Sequence, residues 1–261
     1  MQKIATWNVA SVRSRMEGLS VWLEKTAPDI VFLQEIKATD ETFPFLEIKG
    51  LGYNALIRGQ KSYNGVAVLS KEPLEKVMEN LPNMREEARY LEVRDKEGVH
   101  YISVYVPNGN PSEKNPQDTS KLDYKLQFME ELLHRVQTLL AERIPFVLGG
   151  DFNVIAQKTD VYNPKAFEDN ALMLPCVQRA LRKIEFSGVT NALRLLHSEP
   201  FLYSFWDYRF GAWEKNMGIL LDVLYLSPIL ADKIQSSGVD SFTREMPNPS
   251  DHAPVWCLLQ K

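Results

Sequence analysis

The chain has 261 residues, of which 44% are hydrophobic and 25% are charged, a composition typical of a globular protein with a sizeable core. Its formal net charge of -4 excludes a nucleic-acid partner recognised by bulk charge, so such a partner has to meet a local basic patch. Two distant cysteines, Cys176 and Cys257, exclude a disulfide framework and favour a reducing compartment. No segment has the pattern of a leader or a membrane span, and we expect a cytoplasmic protein.

Apolar runs predict seven strands, and amphipathic segments between them predict three helices. In chain order these are strand 3–7, helix 16–25, strand 30–34, strand 66–70, strand 101–106, helix 123–141, strand 146–150, a helix that begins at residue 175, strand 220–226 and strand 254–259. The alternation indicates an α/β architecture in one domain, residues 1–261. A segment rich in proline and asparagine, 107–120, predicts a mobile surface loop.

Acidic and amide side chains cluster where predicted strands begin or end. They are Asn8 and Glu35 after the first two strands, Asp151 and Asn153 after a strand that ends in Gly-Gly, and Asp251 and His252 before the last strand. Taken singly, each is more often a solvated surface group or a turn residue. Loops at strand ends are the usual position of active sites, and the joint occurrence predicts one. Asp222 stands alone in an aliphatic run, where a carboxylate needs a partner or a function.

The motifs WNV, LQEIK, YNGVAVLSK, VYVPNG, LGGDFN, FWDYR, ILLDVLYLSP and SDHAPVW follow one another across nearly the whole chain. As an ordered set they resemble the exonuclease III family of AP endonucleases and 3′-repair exonucleases. The resemblance implies a four-layer α/β sandwich of the DNase I-like kind, with two mixed β-sheets face to face and helices outside. It also implies a monomeric enzyme that uses Mg²⁺ or Mn²⁺ to hydrolyse double-stranded DNA at abasic sites or 3′ ends.

The same resemblance implies a role for each polar residue. These roles are metal binding by Glu35, Asn8 and Asp251, positioning or deprotonation of the attacking water by Asp151, phosphate binding by Asn153, Tyr105 and His252, and DNA contact by Trp206, Arg209 and Lys125. Asp222 would accept a hydrogen bond from His252 and keep its ring oriented. A carboxylate in that position favours the imidazolium, which can donate to a phosphate oxygen.

Five positions depart from the family pattern, and most of the departures remove polar groups from the proposed pocket. They are Ala10 in place of Asn or Asp, Cys176 in place of Glu or Gln, Asn191 in place of Asp, Leu220 in place of Arg, and Val223 where His is frequent. Loss of one member of a buried charged network leaves its partner unpaired. Such a cluster has two explanations. One is drift in a natural relative with relaxed function, and the other is deliberate redesign, in which case the chain is an engineered derivative.

Two further hypotheses follow from these departures. In the first, Cys176 at a helix N-terminus is a thiolate nucleophile paired with His252, and the protein is a metal-free cysteine hydrolase of small esters. In the second, the chain is a non-catalytic DNA-binding scaffold, which would bind DNA in a salt-dependent way without cleaving it.

Overall fold

Twelve strands form two six-stranded sheets in the computed structural model of this protein, which describes residues 1–261. The strands are β1 (Gln2–Asn8), β2 (Ile30–Gln34), β3 (Asn54–Arg58), β4 (Val66–Ser70), β5 (Glu75–Met78), β6 (Tyr90–Arg94), β7 (His100–Tyr105), β8 (Phe146–Asp151), β9 (Thr190–Asn191), β10 (Asp222–Leu226), β11 (Ile234–Val239) and β12 (Val255–Leu259). The first sheet has the order β11-β12-β1-β2-β4-β3, and the second has the order β5-β6-β7-β8-β10-β9.

Helices connect and cover these strands. They are α1 (Met16–Thr26), α2 (Phe45–Gly50), α3 (Ser120–Ala141), α4 (Pro175–Glu185), α5 (Ala192–Leu196) and α6 (Pro228–Ala231). β1 pairs with β2 in parallel, as β7 does with β8, and the other strand pairs are antiparallel. A parallel pair needs a long crossover, which α1 and α3 provide. None of the helices combines the length and the apolarity needed to cross a bilayer.

Three apolar layers hold four layers of secondary structure together. Successive strand residues point to opposite faces, so Val68 lies between the sheets while Leu69 packs with Trp22 of α1. In the second sheet Val147 lies between the sheets, and Leu148 packs in the cluster that also contains residues of α3 and α4. Strands buried on both faces read as continuous apolar runs, which is why the sequence reveals them. The predicted sandwich of two mixed sheets with helices outside is confirmed.

The predicted elements agree with the structure best in the middle of the sheets. The strands predicted at 30–34 and 66–70 have those bounds, whereas the strand predicted at 220–226 begins only at Asp222. The backbone N–H of Leu220 donates instead to the carbonyl of Asp160, outside the sheet. The strands that were not predicted are β3, β5, β6, β9 and β11. Four of them, β3, β5, β9 and β11, are edge strands, whose partly exposed residues leave no apolar run. In β6 the charged residue Glu92 interrupts the apolar run.

The segment predicted as a mobile loop at 107–120 is anchored at its first residues. Asn108 Nδ2 donates to Asn153 Oδ1 at 3.3 Å, and Asn110 Nδ2 donates to Asn170 Oδ1 at 3.0 Å. Ser120 already belongs to α3. These hydrogen bonds hold the first part of the segment, and the mobility of the segment stays a prediction.

A buried ionic cluster joins the second sheet to α3. Glu92 is fully buried, and its carboxylate accepts hydrogen bonds from Arg135 Nε at 2.9 Å and Arg135 Nη2 at 2.6 Å. The hydroxyl of Tyr90 donates to the same carboxylate, and His100 Nδ1 contacts it. Burial alone would raise the pKa of Glu92, but His100, Arg135 and Tyr90 outweigh burial and lower it to about 2. The carboxylate is thus fixed in its charged form.

Candidate active site

The polar residues singled out from the sequence converge at one end of the sandwich, on the inner faces of the two sheets. Because side chains alternate along a strand, Asn8 points the same way as Ile4, which lies in the inter-sheet layer. By the same alternation Asp151 points the same way as Val147, and Tyr105 packs against that layer.

Strand direction brings these residues to the same end. Asn8 and Asp151 are the last residues of β1 and β8, and Asn8 Nδ2 donates to Asp151 Oδ2 at 3.0 Å across the gap between the sheets. β10 runs antiparallel to β8 with Asp222 opposite Asp151. β12 runs antiparallel to β1, so the segment that precedes it delivers His252 to this end as well. Each sheet therefore supplies about half of the site.

Two glycines let the sheets and the neighbouring strand approach closely beside Asp151. A Cβ at Gly149 would lie 2.5 Å from side-chain atoms of Phe32 and Leu224, which belong to the inter-sheet layer. A Cβ at Gly150 would lie 1.9 Å from the carbonyl oxygen of Val104. Only residues without a side chain fit here. The Gly-Gly pair in the sequence thus has a packing reason.

A row of polar side chains lies between the sheets next to the site. Thr6 Oγ1 donates to Gln34 Oε1 and Gln34 Nε2 donates to Ser103 Oγ, both at 3.2 Å. All three residues are fully buried. This row, which we call the inter-sheet polar row, ties the first sheet to the second, and directional bonds fix the separation of the sheets more tightly than apolar contact does.

His252 is held between two carboxylates. Its Nδ1 lies 2.7 Å from Asp222 Oδ2, and its Nε2 lies 3.7 Å from Asp151 Oδ2. The ring is buried, and burial alone would lower its pKa, but Asp222 and Asp151 outweigh burial and raise the pKa to about 10. Ser204 Oγ donates to Asp222 Oδ2 at 2.7 Å and fixes the carboxylate from the other side. The histidine is therefore an imidazolium at neutral pH.

Asp151 is the central carboxylate of the site. Its Oδ2 accepts from Asn8, and its Oδ1 accepts from the backbone N–H of Asn153 at 2.9 Å. Burial raises its pKa, the His252 imidazolium opposes that change, and the charge of Asp222 adds to it, so the pKa reaches about 7. A carboxylate with a pKa near neutrality is suited to accept a proton at neutral pH.

Glu35 lies beside these groups on a strained turn with φ of 49°. Its Oε1 accepts from Asn8 Nδ2 at 3.1 Å and from the Tyr105 hydroxyl at 2.7 Å, and its Oε2 lies 2.8 Å from Lys37 Nζ. Burial would raise its pKa, but Lys37, Tyr105 and Asn8 outweigh burial and lower it. Glu35 is thus held as a carboxylate.

These residues fit a hard divalent cation. Glu35, Asp151 and Asp251 offer carboxylate oxygens and Asn8 offers an amide oxygen, the ligand type that Mg²⁺ and Mn²⁺ prefer. The half-buried Asp251 has only one long side-chain contact, from Ser250 Oγ at 3.4 Å. Asp222 Oδ1 is buried without any hydrogen-bond partner, which is rare unless a water or an ion satisfies the atom.

A different trio, Asp151, Asp222 and His252, also brings its ligand atoms within 4.8 Å of one another. Geometry alone would make this trio a metal site. A metal-bound imidazole must be neutral, however, and the raised pKa of His252 keeps its ring protonated. His252 is therefore better suited to donate a hydrogen bond than to bind a metal ion directly.

Two of the residues predicted to contact DNA are buried in this structure. Lys125 is fully buried, and its ammonium donates only to backbone carbonyls. Trp206 is 3% exposed, with Nε1 donating to Asn216 Oδ1 at 3.1 Å and its ring packed edge-on against Trp213. The sequence shows that these residues are cationic or aromatic but not that their loops cover them. Arg209 is largely exposed and paired with Asp207, so its predicted contact with DNA stays a prediction.

The five departures occupy defined structural positions. Leu220 packs with Leu193 and Val255, and Val223 packs in the cluster beneath α3 and α4. Asn191 caps α5 by accepting from the backbone N–H groups of residues 193 and 194. The N–H of Ala10 donates to Asn8 Oδ1 at 3.1 Å. Backbone geometry and packing therefore account for these four residues.

Cys176 does not pair with His252. Both ring nitrogens of His252 face carboxylates, and Cys176 packs half-buried against the apolar cluster of the second sheet. The predicted Cys–His dyad is not favoured.

Three residues of the site were missed from the sequence. Ser204 supports Asp222 from 18 positions away, and Gln34 bridges the sheets, with no sequence signal for either role. Lys37 is the exception, because it stands two residues after Glu35 in the LQEIK motif, where a counter-charge could have been expected.

Comparison with known proteins gives one consistent relationship. The model described as "Endonuclease/Exonuclease/phosphatase family" matches residues 5–252. An exodeoxyribonuclease of Bacillus subtilis is 31% identical to 98% of this chain and 99% of its own length. Among solved structures, an AP endonuclease from Archaeoglobus fulgidus has 34% identity and a TM-score of 0.93, with 100% of both chains covered. A 3′–5′ exonuclease from Neisseria meningitidis has 31% identity and a TM-score of 0.93, also with 100% of both chains covered.

Proposed function

Because this chain belongs to the endonuclease/exonuclease/phosphatase family, we propose that it is a DNA-repair nuclease that hydrolyses phosphodiester bonds with the help of a divalent cation. Its substrates are duplexes with abasic sites or with 3′ ends, as the names of the similar proteins from Archaeoglobus fulgidus and Neisseria meningitidis suggest. The observation that carries the proposal is the position of His252 between Asp222 and Asp151, with Asn8 linking Asp151 to the carboxylate of Glu35.

Asp151 positions the attacking water and takes its proton. Hydrolysis of a phosphodiester needs an in-line water and relief of charge on the non-bridging oxygens. The raised pKa of Asp151 supports the role of base, and hydrogen bonds from Asn8 and from the Asn153 backbone fix its orientation. His252 supplies a positive donor for a phosphate oxygen, and Asp222 holds its ring in the charged state.

Asn153 and Tyr105 hold the phosphate. Asn153 Nδ2 donates one proton to the Val106 carbonyl at 2.9 Å, and its second N–H has no partner within the protein. That free donor supports an anion contact. Tyr105 donates to Glu35 in this structure, so binding a phosphate requires its hydroxyl to turn away from that carboxylate.

Glu35, Asn8 and Asp251 would hold a divalent cation, Mg²⁺ or Mn²⁺, which would supply positive charge beside the phosphate. The partner of the protein is double-stranded DNA, which we propose it binds as a monomer in the cytoplasm. The exposed side chain of Arg209 supplies a contact to the phosphate backbone of the DNA.

Removal of the divalent cation is expected to abolish the activity. A duplex oligonucleotide with one abasic analogue, and a duplex with a recessed 3′ end, should be cut with Mg²⁺ or Mn²⁺ and left intact with EDTA. Cleavage should return when Mg²⁺ is added in excess, which controls for damage by the chelator. Salt-dependent binding of the duplex without any cleavage would instead identify a non-catalytic DNA-binding scaffold.

Substitution Cys176→Ala is expected to leave DNA cleavage unchanged, because the thiol lies outside the carboxylate–histidine cluster. The same variant should show no loss of hydrolysis of p-nitrophenyl acetate relative to wild type. Cys257→Ala serves as the matched control for a thiol in the core. An esterase activity that vanishes only in Cys176→Ala would contradict the assignment and revive the cysteine hydrolase.

A further inference from the structure

Lys125 is a buried cation that the proposed mechanism does not use. It lies on α3 with no exposed surface, and its Nζ donates to the carbonyl oxygens of Asn108 at 3.0 Å, Asn153 at 2.5 Å and Ala171 at 3.0 Å. An ammonium group has three donors and no acceptor, so all of its hydrogen-bonding capacity is used. No counter-ion touches it.

The three carbonyls belong to three separate loops. Asn108 lies in the loop that follows β7, Asn153 in the loop that follows β8, and Ala171 in the segment that leads to α4. The first of these loops also packs on the lysine stem, since Gly109 has φ of +86° and a Cβ there would lie 2.7 Å from Lys125 Cδ. A single side chain thus fixes the relative positions of the three loops.

One of these loops carries a proposed phosphate ligand in a strained conformation. Asn153 has φ of 50°, in the left-handed region, which a non-glycine residue keeps only where its surroundings hold it there. Its side chain and backbone N–H are bonded to Val106, Asn108 and Asp151. The bond from Lys125 holds its carbonyl, the remaining polar group of that residue.

Stability alone does not require a charge at this place. Burial opposes the ammonium and lowers the pKa of Lys125 to about 7. We propose that Lys125 is a positioning residue, which sets the backbone of Asn153 and of the loop after β7 so that the Asn153 amide meets the scissile phosphate. This inference rests on the proposed nuclease function.

A double-mutant cycle tests whether Lys125 acts through Asn153. Lys125→Met fills the same space without donors, and we expect kcat for the abasic duplex to fall about 10- to 100-fold with little change in KM. In the Asn153→Ala background the same substitution should have almost no further effect, because the group that it positions is gone. Leu132→Ala, a core substitution on the same helix, controls for loss of stability alone and should keep the wild-type kcat.

Amide hydrogen exchange gives a readout that does not depend on activity. In Lys125→Met, exchange should accelerate at residues 106–110 and 152–157 and stay unchanged in the centre of α3. If Lys125→Met does not fold, Lys125→Gln replaces it; glutamine keeps two N–H donors but is shorter than lysine, so we expect changes in the same direction but smaller.

Two results would overturn the proposal: unchanged exchange in both loops, or an equal fall in kcat with and without the Asn153 side chain. A wild-type protein that does not cleave DNA would refute the nuclease function, whereas the exchange experiment would still decide whether Lys125 positions these loops.

Discussion

Replacement of Asp151 by asparagine is expected to lower kcat for the abasic duplex by about 10²- to 10⁴-fold, the usual contribution of a positioned base. The amide keeps the size of the side chain, but it cannot take a proton from water. The amide also has only one side-chain oxygen, whereas the carboxylate offers one oxygen to Asn8 Nδ2 and the other to the backbone N–H of Asn153. The loss should persist at saturating Mg²⁺, which separates lost chemistry from weakened metal binding.

Asp232→Asn is the matched control for Asp151→Asn, since it makes the same chemical change at an exposed position after α6. It should cleave at the wild-type rate. Circular dichroism of both variants checks that the fold is kept. Near-normal cleavage by folded Asp151→Asn would remove Asp151 from the mechanism.

Replacement of Glu92 by glutamine is expected to lower the free energy of unfolding at pH 7 by about 3–5 kcal/mol, the cost of breaking a buried ion pair. The substitution leaves the guanidinium of Arg135 without its bidentate partner beneath α3. Urea denaturation monitored by tryptophan fluorescence measures the difference. Cleavage at low temperature should be unaffected, because the cluster has no contact with the site.

The effect of Glu92→Gln should depend on pH in a defined direction. The pKa of Glu92 is lowered from 4.5 to about 2 in the folded state, so its stabilisation is complete above pH 4.5. It is lost as the pH falls from 4.5 towards 2, where the folded protein takes up the proton as well, and the lowered pKa corresponds to about 3 kcal/mol. The stability difference between wild type and variant should therefore shrink between pH 5.5 and pH 3.

Glu75→Gln provides the comparison for Glu92→Gln. Glu75 pairs with Arg94 on the neighbouring strand, but both side chains are exposed. Its removal should change the free energy of unfolding by less than about 1 kcal/mol, as for other surface pairs. An equal decrease in the free energy of unfolding in the two variants would show that the buried Glu92 cluster stabilises the fold no more than a surface ion pair does.

The sequence predicts best what depends on local pattern. Continuous apolar runs identify the central strands, and polar residues at their ends identify Asn8, Glu35 and Asp151 as neighbours in space. Edge strands such as β5, in which three of four residues are exposed, are missed because they contain no apolar run. The hydrophobic periodicity of the sequence therefore gives no clear signal for these edge strands.

The burial of two residues predicted to contact DNA has one physical cause. The resemblance implied a DNA contact for Lys125, but in this structure its partners are backbone carbonyls of three separate loops. Backbone carbonyls are the same at every position, so nothing in the sequence marks them as partners. Trp206 is buried for a similar reason, since the cluster that covers its ring includes Ala253 and Tyr162, which are distant in the sequence.

The division of the site between two sheets also bears on how the protein behaves while it folds. Asn8 and Glu35 follow strands of one sheet, whereas Tyr105 and Asp151 end strands of the other, and the inter-sheet polar row forms only when the sheets meet. An intermediate with both sheets formed but not yet docked has no complete site and cannot attack DNA. Recovery of cleavage during refolding therefore reports when the two sheets have docked.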